Sequence, residues 1–489
     1  MSPRLNRGTP EAVEDEREQD ALLIVHLGFG AFARAHTAVY TEEANRAEGG
    51  SSWEIVAVTQ RSNTVVDELA PQDGLFSVLE EGEGAADPRL ITCVREVLSG
   101  PDRSETVVER IADDRTRVVA LTITEKGYRA VPGTGRADLD DPLVRADLQN
   151  RAPTTAVGQI VRGLQRRADR GGAPITVVSC DNLPANGRLT SGVVVSFVEA
   201  LPEAERVALL AWIEQNTAFP NTMVDRMVPQ PTPAVRARAA GWLGVRDAGA
   251  VSCEPYRQWV VEDAFASHRP AWDKAGAVFG GDVEAWENTK LRVLNASHSL
   301  LAYLGLFAGH ASINEAVADE TFAGVCRAML TEEVVPTLDV PRGVDAEDYC
   351  ASVLHRFANP ALGHTTAKVG SDGSQKLGPR LLSTARLCLD AGIEPRWTAL
   401  AVAAWMYHVV TGGATTEDEP LAGRLREAVG ERSSAEETVR ALLSCKGVFD
   451  ETTGGDPGFR AAVTRWYAVL CFGGLGALRE EVALHHAAP

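Results

Sequence analysis

The run Ala21-Leu-Leu-Ile-Val-His-Leu27 passes without a break into Gly28-Phe-Gly30-Ala-Phe-Ala33. A short apolar run bounded by glycine is the pattern of a strand buried on both faces of a parallel sheet. The glycines allow a tight turn and let the backbone approach a pyrophosphate, and Ala33 is small enough for a helix to pack back on the strand. Residues 33–47 then read as a helix whose amino end faces the phosphates. Strand, glycine turn and helix in that order point to an α/β fold that binds a dinucleotide.

Residues 53–58, 118–123 and 175–179 are further buried-strand patterns. In an open α/β sheet, ligands bind beyond the carboxyl ends of the strands. There the chain carries Thr124-Glu-Lys-Gly-Tyr128 and Cys180-Asp-Asn182-Leu-Pro-Ala-Asn186-Gly187. Asn182 and Asn186 read either as site residues or as turn residues, since Asn-Gly is a common turn pair. After the second strand comes Thr59-Gln60-Arg61-Ser62, where an NAD site usually has an acid for the ribose. Arg61 and Ser62 leave NADP open beside NAD, the alternative being an Arg61 that simply faces solvent.

A chain of 489 residues suits two domains. Its net charge of -19 argues against nucleic acid or an anionic membrane surface as partner. Eight scattered cysteines, with no C-x-x-C pair, fit free thiols in a reducing cytoplasm better than disulfides or a zinc site. No run reads as a membrane span, and residues 1–20 form an acidic, Pro-interrupted tail, expected to be disordered, without the apolar core of a signal peptide. Beyond about 190 the pattern turns helical. An irregular segment at 219–229 carries Asp225, and a strand is expected around 256–262. After Asp282 helix prevails, interrupted by the polar, Gly-rich stretch 359–376 with Lys368 and Lys376. That stretch reads as a solvated loop, or as a loop holding an anionic or polyhydroxylated ligand. The expected fold class is thus an α/β Rossmann-type domain over 21–281 followed by a mostly α-helical domain over 282–489.

Lys290-Leu-Arg-Val-Leu-Asn-Ala-Ser-His-Ser299 contains neither Pro nor Gly and reads as helix. With Lys290 at zero, α-helical geometry puts Glu287 at about 60°, His298 at about 80° and Asn295 at about 140°. A base, an acid, an amide and an imidazole then share a face with Leu291 and Leu294, a mixture that suits a cleft; an exposed helix with two incidental leucines is the alternative. In an apolar cleft a lysine takes a proton near neutral pH, and an amide and an imidazole donate to an oxygen gaining charge. This would be a metal-free site for interconverting an alcohol and a ketone, given a hydride carrier.

Taken together, these stretches resemble the polyol-specific long-chain dehydrogenases, a family that includes mannitol 2-dehydrogenase and fructuronate reductase. The resemblance spans roughly residues 22–475. It rests on His26-Leu-Gly-Phe-Gly-Ala-Phe32 with Arg34-Ala-His36, Thr124-Glu-Lys-Gly-Tyr128, Ser179-Cys-Asp-Asn-Leu-Pro184, Val224-Asp-Arg-Met227, Gln258-Trp-Val-Val-Glu-Asp263, the Lys290 stretch and Asp372-Gly-Ser-Gln-Lys376. It implies a Rossmann domain, a helical second domain, a cleft between them and no metal. By this resemblance Lys290 is the general acid/base, Asn182 and Asn295 stabilise the alkoxide, His298 orients the substrate and Glu287 gates proton exchange. Gly28, Phe29, Gly30, Phe32, Arg61 and Asn182 form the expected cofactor set, and Asp225, Lys368 and Lys376 the substrate set. The chain departs from the family pattern at Ala33 and Thr37, at Thr365 after His364, and at Lys368, where mannitol dehydrogenases tend to have Arg and fructuronate reductases Gln. The expected activity is NAD(P)-dependent interconversion of a secondary alcohol of a hexitol or sugar acid and its 2-ketose or ketouronate. The rival is a non-catalytic NAD(P) sensor, which would not need a proton acceptor such as Lys290. Oligomeric state is not legible in the sequence, and a monomer fits it.

Overall fold

A computed structural model of the protein describes residues 3–9, 20–50, 52–149, 152–415, 417–431 and 434–487. The chain divides into two units, Met1–Val283 and Glu284–Pro489.

The first unit is built on a six-stranded sheet. Its strands are β1 (Leu22–Leu27), β2 (Trp53–Thr59), β3 (Val94–Ser99), β4 (Thr116–Leu121), β5 (Ile175–Ser179) and β6 (Thr217–Ala218), in the order β6-β5-β4-β1-β2-β3. Every pairing is parallel, which is the dinucleotide-binding topology with its switch point between β1 and β4. Side-chain alternation explains why β1 reads as one unbroken apolar run. Leu23, Val25 and Leu27 enter a core with Ile111, Ile160 and Leu164, while Ile24 enters the opposite core with Ala33, Tyr40 and Trp259. Each buried Leu, Ile or Val among them stabilises the fold by about 1.5–3 kcal/mol relative to exposure.

The helix expected at 33–47 is two helices, α1 (Ala31–Ala35) and α2 (Thr37–Glu48), separated by His36 at φ -122°, ψ -87°. His36 is fully buried, its ring stacked on Phe32 at 4.8 Å and set against Tyr40 and Trp259, so packing sets the break. Strand β3 escaped the sequence reading because Arg95 and Glu96 interrupt its apolar pattern at the sheet edge. Within 219–229 a strand, Thr222–Asp225, pairs antiparallel with Gln258–Val261. Residues 3–9 also depart from the expected disordered tail. Leu5 is buried with Leu75, Leu90 and Leu243, and its amide donates to Arg246 O at 2.9 Å. Residues 10–19 of that tail lie outside the described residues.

The second unit is helical. Its central helix, Arg396–Val410, is buried all round from Trp397 to Met406. Among the described residues, four turns of this unit are π-helical: Lys290–Asn295, Met329–Val334, Gly378–Leu382 and Val469–Gly473. The stretch 359–376, expected as a loop, is instead a chain of short helices, Pro360–Leu362, Thr366–Gly370 and Gly373–Leu377. Thr365 caps the second by accepting from the Lys368 amide at 3.2 Å, a local use for one departure from the family pattern. One correction concerns membrane spans: Pro457–His485 is long and apolar enough to cross a membrane by length and composition, with mean hydropathy 1.3 in its most apolar window. Its first part nonetheless buries Phe459, Val463 and Trp466, and the Trp466 indole donates to Arg396 O at 3.0 Å.

Candidate active site

At the end of β1 the chain turns at Gly28, φ +86°, where a Cβ would lie 2.2 Å from the Thr122 carbonyl oxygen; only glycine fits. The Gly28 and Phe29 amides both donate to Val58 O, at 2.8 and 3.0 Å, which ties the turn to β2. A cavity of about 190 Å³ opens beside it, lined by Gly28, Gly30, Thr59, Arg61 and Thr124 among others. The two phenylalanines of the expected cofactor set use their rings otherwise. Phe29 is 1% exposed and meets His26 and Phe76 edge-on, and Phe32 stacks on His36. Large apolar rings next to a glycine turn are held by the core, which leaves the backbone to face the cavity. His26, fully buried, is held neutral: burial pulls its pKa down to about 3.

No acid follows β2. The Gln60 amide donates to Gln159 Oε1 at 2.9 Å, and the exposed Arg61 donates to Thr124 Oγ1 at 2.9 Å. Thr124 has φ +63°, a strained conformation for a β-branched residue, and Asp181 fixes it. The Asp181 carboxylate accepts from the Ile123 and Thr124 amides at 3.0 and 2.8 Å and from the Tyr128 hydroxyl at 2.9 Å. Burial outweighs those donors and raises the pKa of Asp181. The next residue, Asn182, is exposed at the β5 exit.

Asn186 is wholly buried. Its Nδ2 donates to Ser179 O, Asp181 O and Thr222 O at 3.2, 3.0 and 2.9 Å, and its Oδ1 accepts from the Thr222 amide at 2.9 Å. It clamps the exit of β5 to the strand that carries the buried Asp225. Asn186→Ala strands several of these groups, and the expected loss of stability is about 2–3 kcal/mol in urea unfolding. A change below about 0.5 kcal/mol would return Asn186 to the status of a turn residue.

The second unit carries Glu287, Lys290, Asn295, His298, Lys368 and Lys376. A regular helix, Val283–Thr289, carries Glu287 and runs into the π-helical turn Lys290–Asn295, which hands over to helix α3 (Ala296–Ala308). The regular α-helix expected over this stretch is therefore wrong in its middle. Bonding from i to i+5 widens the turn, so Lys290 and Asn295, about 140° apart on an α-helix, move onto one side. Both are 7% exposed. His298 follows, its ring stacked on Phe357 at 4.7 Å and on His364 at 5.4 Å. Burial first, then the neighbouring His364 and the cations Arg380, Arg356 and Lys376, hold it well below the ordinary histidine range, so the imidazole is neutral. Its Nε2 is buried without a hydrogen-bond partner among the described residues.

The motif at 372–376 is built from its surroundings. A Cβ on Gly373 would lie 2.3 Å from the Trp405 indole nitrogen and 2.5 Å from the Tyr303 hydroxyl, which accounts for the glycine. The Ser374 amide donates to the buried Glu419 at 2.8 Å. Lys376 Nζ donates to Ser371 O at 2.5 Å, and Asp372 Oδ2 lies 3.8 Å away. Burial, with Arg380 nearby, lowers its pKa to about 8. Lys368, by contrast, is exposed. Sequence reasoning missed Glu419 and Arg380. Arg380 follows Lys376 by four residues, a spacing that speaks only once 373–382 is known to be helical. Among the described residues no cluster of His, Cys, Asp and Glu is arranged to hold a metal ion.

The comparisons with known proteins cover both units. Residues 23–274 match the mannitol dehydrogenase Rossmann domain and residues 282–471 the mannitol dehydrogenase C-terminal domain. The D-mannonate oxidoreductase of Escherichia coli K12 is 40% identical over 457 residues, 92% of this chain and 93% of that protein. The polyol:NADP oxidoreductase of Gluconobacter oxydans is 34% identical, over 85% of this chain and 87% of its own. The structure of Pseudomonas fluorescens mannitol 2-dehydrogenase, a ternary complex with NAD and D-mannitol, matches with a TM-score of 0.82 at 32% identity, covering 98% of this chain and 99% of that one. Likeness of this extent, across both domain families, settles the assignment: the chain belongs to the mannitol dehydrogenase family and is an oxidoreductase of that family.

Proposed function

We propose that the protein is an NAD-dependent dehydrogenase interconverting a secondary alcohol of a hexitol or sugar acid with its 2-ketose or ketouronate, of the mannitol/fructose or mannonate/fructuronate type. The observation that carries this reading is the π-helical turn whose two ends are the nearly buried Lys290 and Asn295, with a neutral His298 three residues beyond. Bound NAD would supply the hydride acceptor for the carbinol carbon, and the Gly28–Gly30 turn, Arg61 and Asn182 are the residues that would hold it. Lys290 Nζ takes the hydroxyl proton in oxidation and returns it in reduction. The amides of Asn295 and Asn182 donate to the oxygen as its charge grows, lowering the barrier by a few kcal/mol each, roughly. Glu287 passes the proton on to solvent, His298 orients the substrate, and Asp225, Lys368 and Lys376 hold its remaining oxygens. A lysine proton acceptor does this work without a metal. The lack of an acid after β2 leaves NADP as an alternative carrier.

Lys376 adds a pH dependence. Its ammonium is present below about pH 8 and lost above it. The substrate KM is therefore expected to rise above pH 8, by up to about tenfold per pH unit, and Lys376→Met should abolish that rise. A KM flat from pH 7 to 9.5 in the wild type contradicts the role given to Lys376.

The reading is tested by titrating the tryptophan fluorescence with NADH and NADPH, then following the reduced-nicotinamide absorbance with fructose or fructuronate. Oxidation of the cofactor by either ketone supports it. Tight cofactor binding with no oxidation by either favours the sensor.

A further inference from the structure

Arg380 lies in the π-helical turn Gly378–Leu382, on the same helical run as Lys376. Its guanidinium is half-buried and donates from Nη1 to Ser299 Oγ at 3.1 Å, its sole polar contact among the described residues. Among the described residues, other buried guanidinium groups have a carboxylate or several oxygens as partners, although single nitrogens such as Arg162 Nε and Arg167 Nη2 stay unpaired. Arg226 pairs with Glu80 at 2.8 Å, Arg162 with Glu205 at 2.7 Å and Arg34 with Glu68 at 3.3 Å. Arg167 and Arg292 lack a carboxylate, yet each donates to several neutral oxygens of the fold. Arg380 has one such oxygen and no acid.

The neighbours of Arg380 deepen the imbalance. Lys376 is four residues back, and its own acid, Asp372, stays at 3.8 Å. Ser299, the acceptor for Arg380, follows His298, whose Nε2 lacks a partner. Arg356 adds positive potential at both His298 and His364. Burial lowers the pKa of both Arg380 and Lys376, as it does for cations kept from water without full compensation. Two cations beside the expected catalytic helix, with Asp372 at 3.8 Å from Lys376 and Glu419 occupied by Ser374 and Trp405, suit an anion. A planar guanidinium with free donors matches a carboxylate.

We propose that Arg380, together with Lys376, reads a carboxylate on the substrate, so that the enzyme prefers the sugar acid of the mannonate/fructuronate type over the neutral polyol. This rests on the dehydrogenase reading above. It makes Arg380 the residue that selects the substrate class, while the proton chemistry stays with Lys290.

The test compares wild type, Arg380→Gln and Arg380→Lys in NADH-dependent reduction of fructuronate, fructose and fructose phosphate. Wild type is expected to favour fructuronate. Arg380→Gln should lower kcat/KM for fructuronate by roughly 100-fold, mostly through KM, and lower it far less for fructose, with NADH affinity unchanged. Arg380→Lys, which keeps the charge and loses the fork, should recover part of the loss. NADH binding by fluorescence confirms that each variant is folded. Equal losses with fructuronate and fructose, a matching fall in NADH affinity, or a wild-type preference for fructose or its phosphate would each overturn the proposal while leaving the dehydrogenase reading intact. Binding of NADH by wild type without reduction of any of the three ketones would sink that reading itself, and the proposal with it.

Discussion

Lys290→Ala is expected to lower kcat by about a thousandfold while the NADH dissociation constant stays within about twofold of wild type. The size follows from what the residue is asked to do. General acid–base groups contribute roughly 10²–10⁴ in rate, and Lys290 is the lysine within the π-helical turn that holds Asn295. The selectivity follows from its place: Lys290 belongs to the second unit, whereas the glycine turn and its cavity are in the first. Parallel losses in turnover and cofactor affinity would instead mark Lys290 as a structural residue. Lys290→Arg, which keeps the charge but cannot lose its proton, is expected to be nearly as inactive as Lys290→Ala.

Glu419→Ala should be the most destabilising substitution near the site, by about 3 kcal/mol in denaturant unfolding followed by tryptophan fluorescence. Glu419 is 2% exposed. It accepts from the Ser374 amide at 2.8 Å, from the Ser374 hydroxyl and from the Trp405 indole at 3.3 Å. Removing it leaves three buried donors without an acceptor, each costing about 1–3 kcal/mol before relaxation. Because Ser374 and Gly373 set the path of the chain into Lys376, substrate KM should rise in the same variant. Glu419→Gln keeps one acceptor oxygen and should show about half the loss. A change under about 1 kcal/mol for Glu419→Ala would mean that the Gly373–Ser374 turn is held by packing against Tyr303 and Trp405 alone.

The buried strands of the first unit were legible because a parallel sheet covered on both faces leaves unbroken apolar runs, as in β1, β2 and β5. The edge strand β3 was not, since half-exposed positions admit Arg95 and Glu96. Asp181 stood within a motif that the sequence displays, but its role depends on strands 57 residues apart, Thr124 lying at one exit and Asp181 at the other, which one-dimensional spacing cannot express. In the second unit, Lys290, Asn295 and His298 could be grouped from helical periodicity, yet the π-helical turn that brings the first two to one side has no sequence signature as plain as a glycine or a proline. Arg380 was hidden for a related reason. The glycines of 359–376 read as loop, although the chain there is a succession of short helices capped by Asn359 and Thr365.

The most direct test of the central claim follows hydrogen itself. The protein is incubated with fructuronate or fructose and with NADH deuterated at the transferring position of the nicotinamide, and the sugar product is analysed by mass spectrometry and NMR. A product carrying one deuterium on the new carbinol carbon, made by wild type and lost in Lys290→Ala, is the expected result. Reduced product without deuterium on that carbon, or unchanged ketone beside fully bound cofactor, would contradict it.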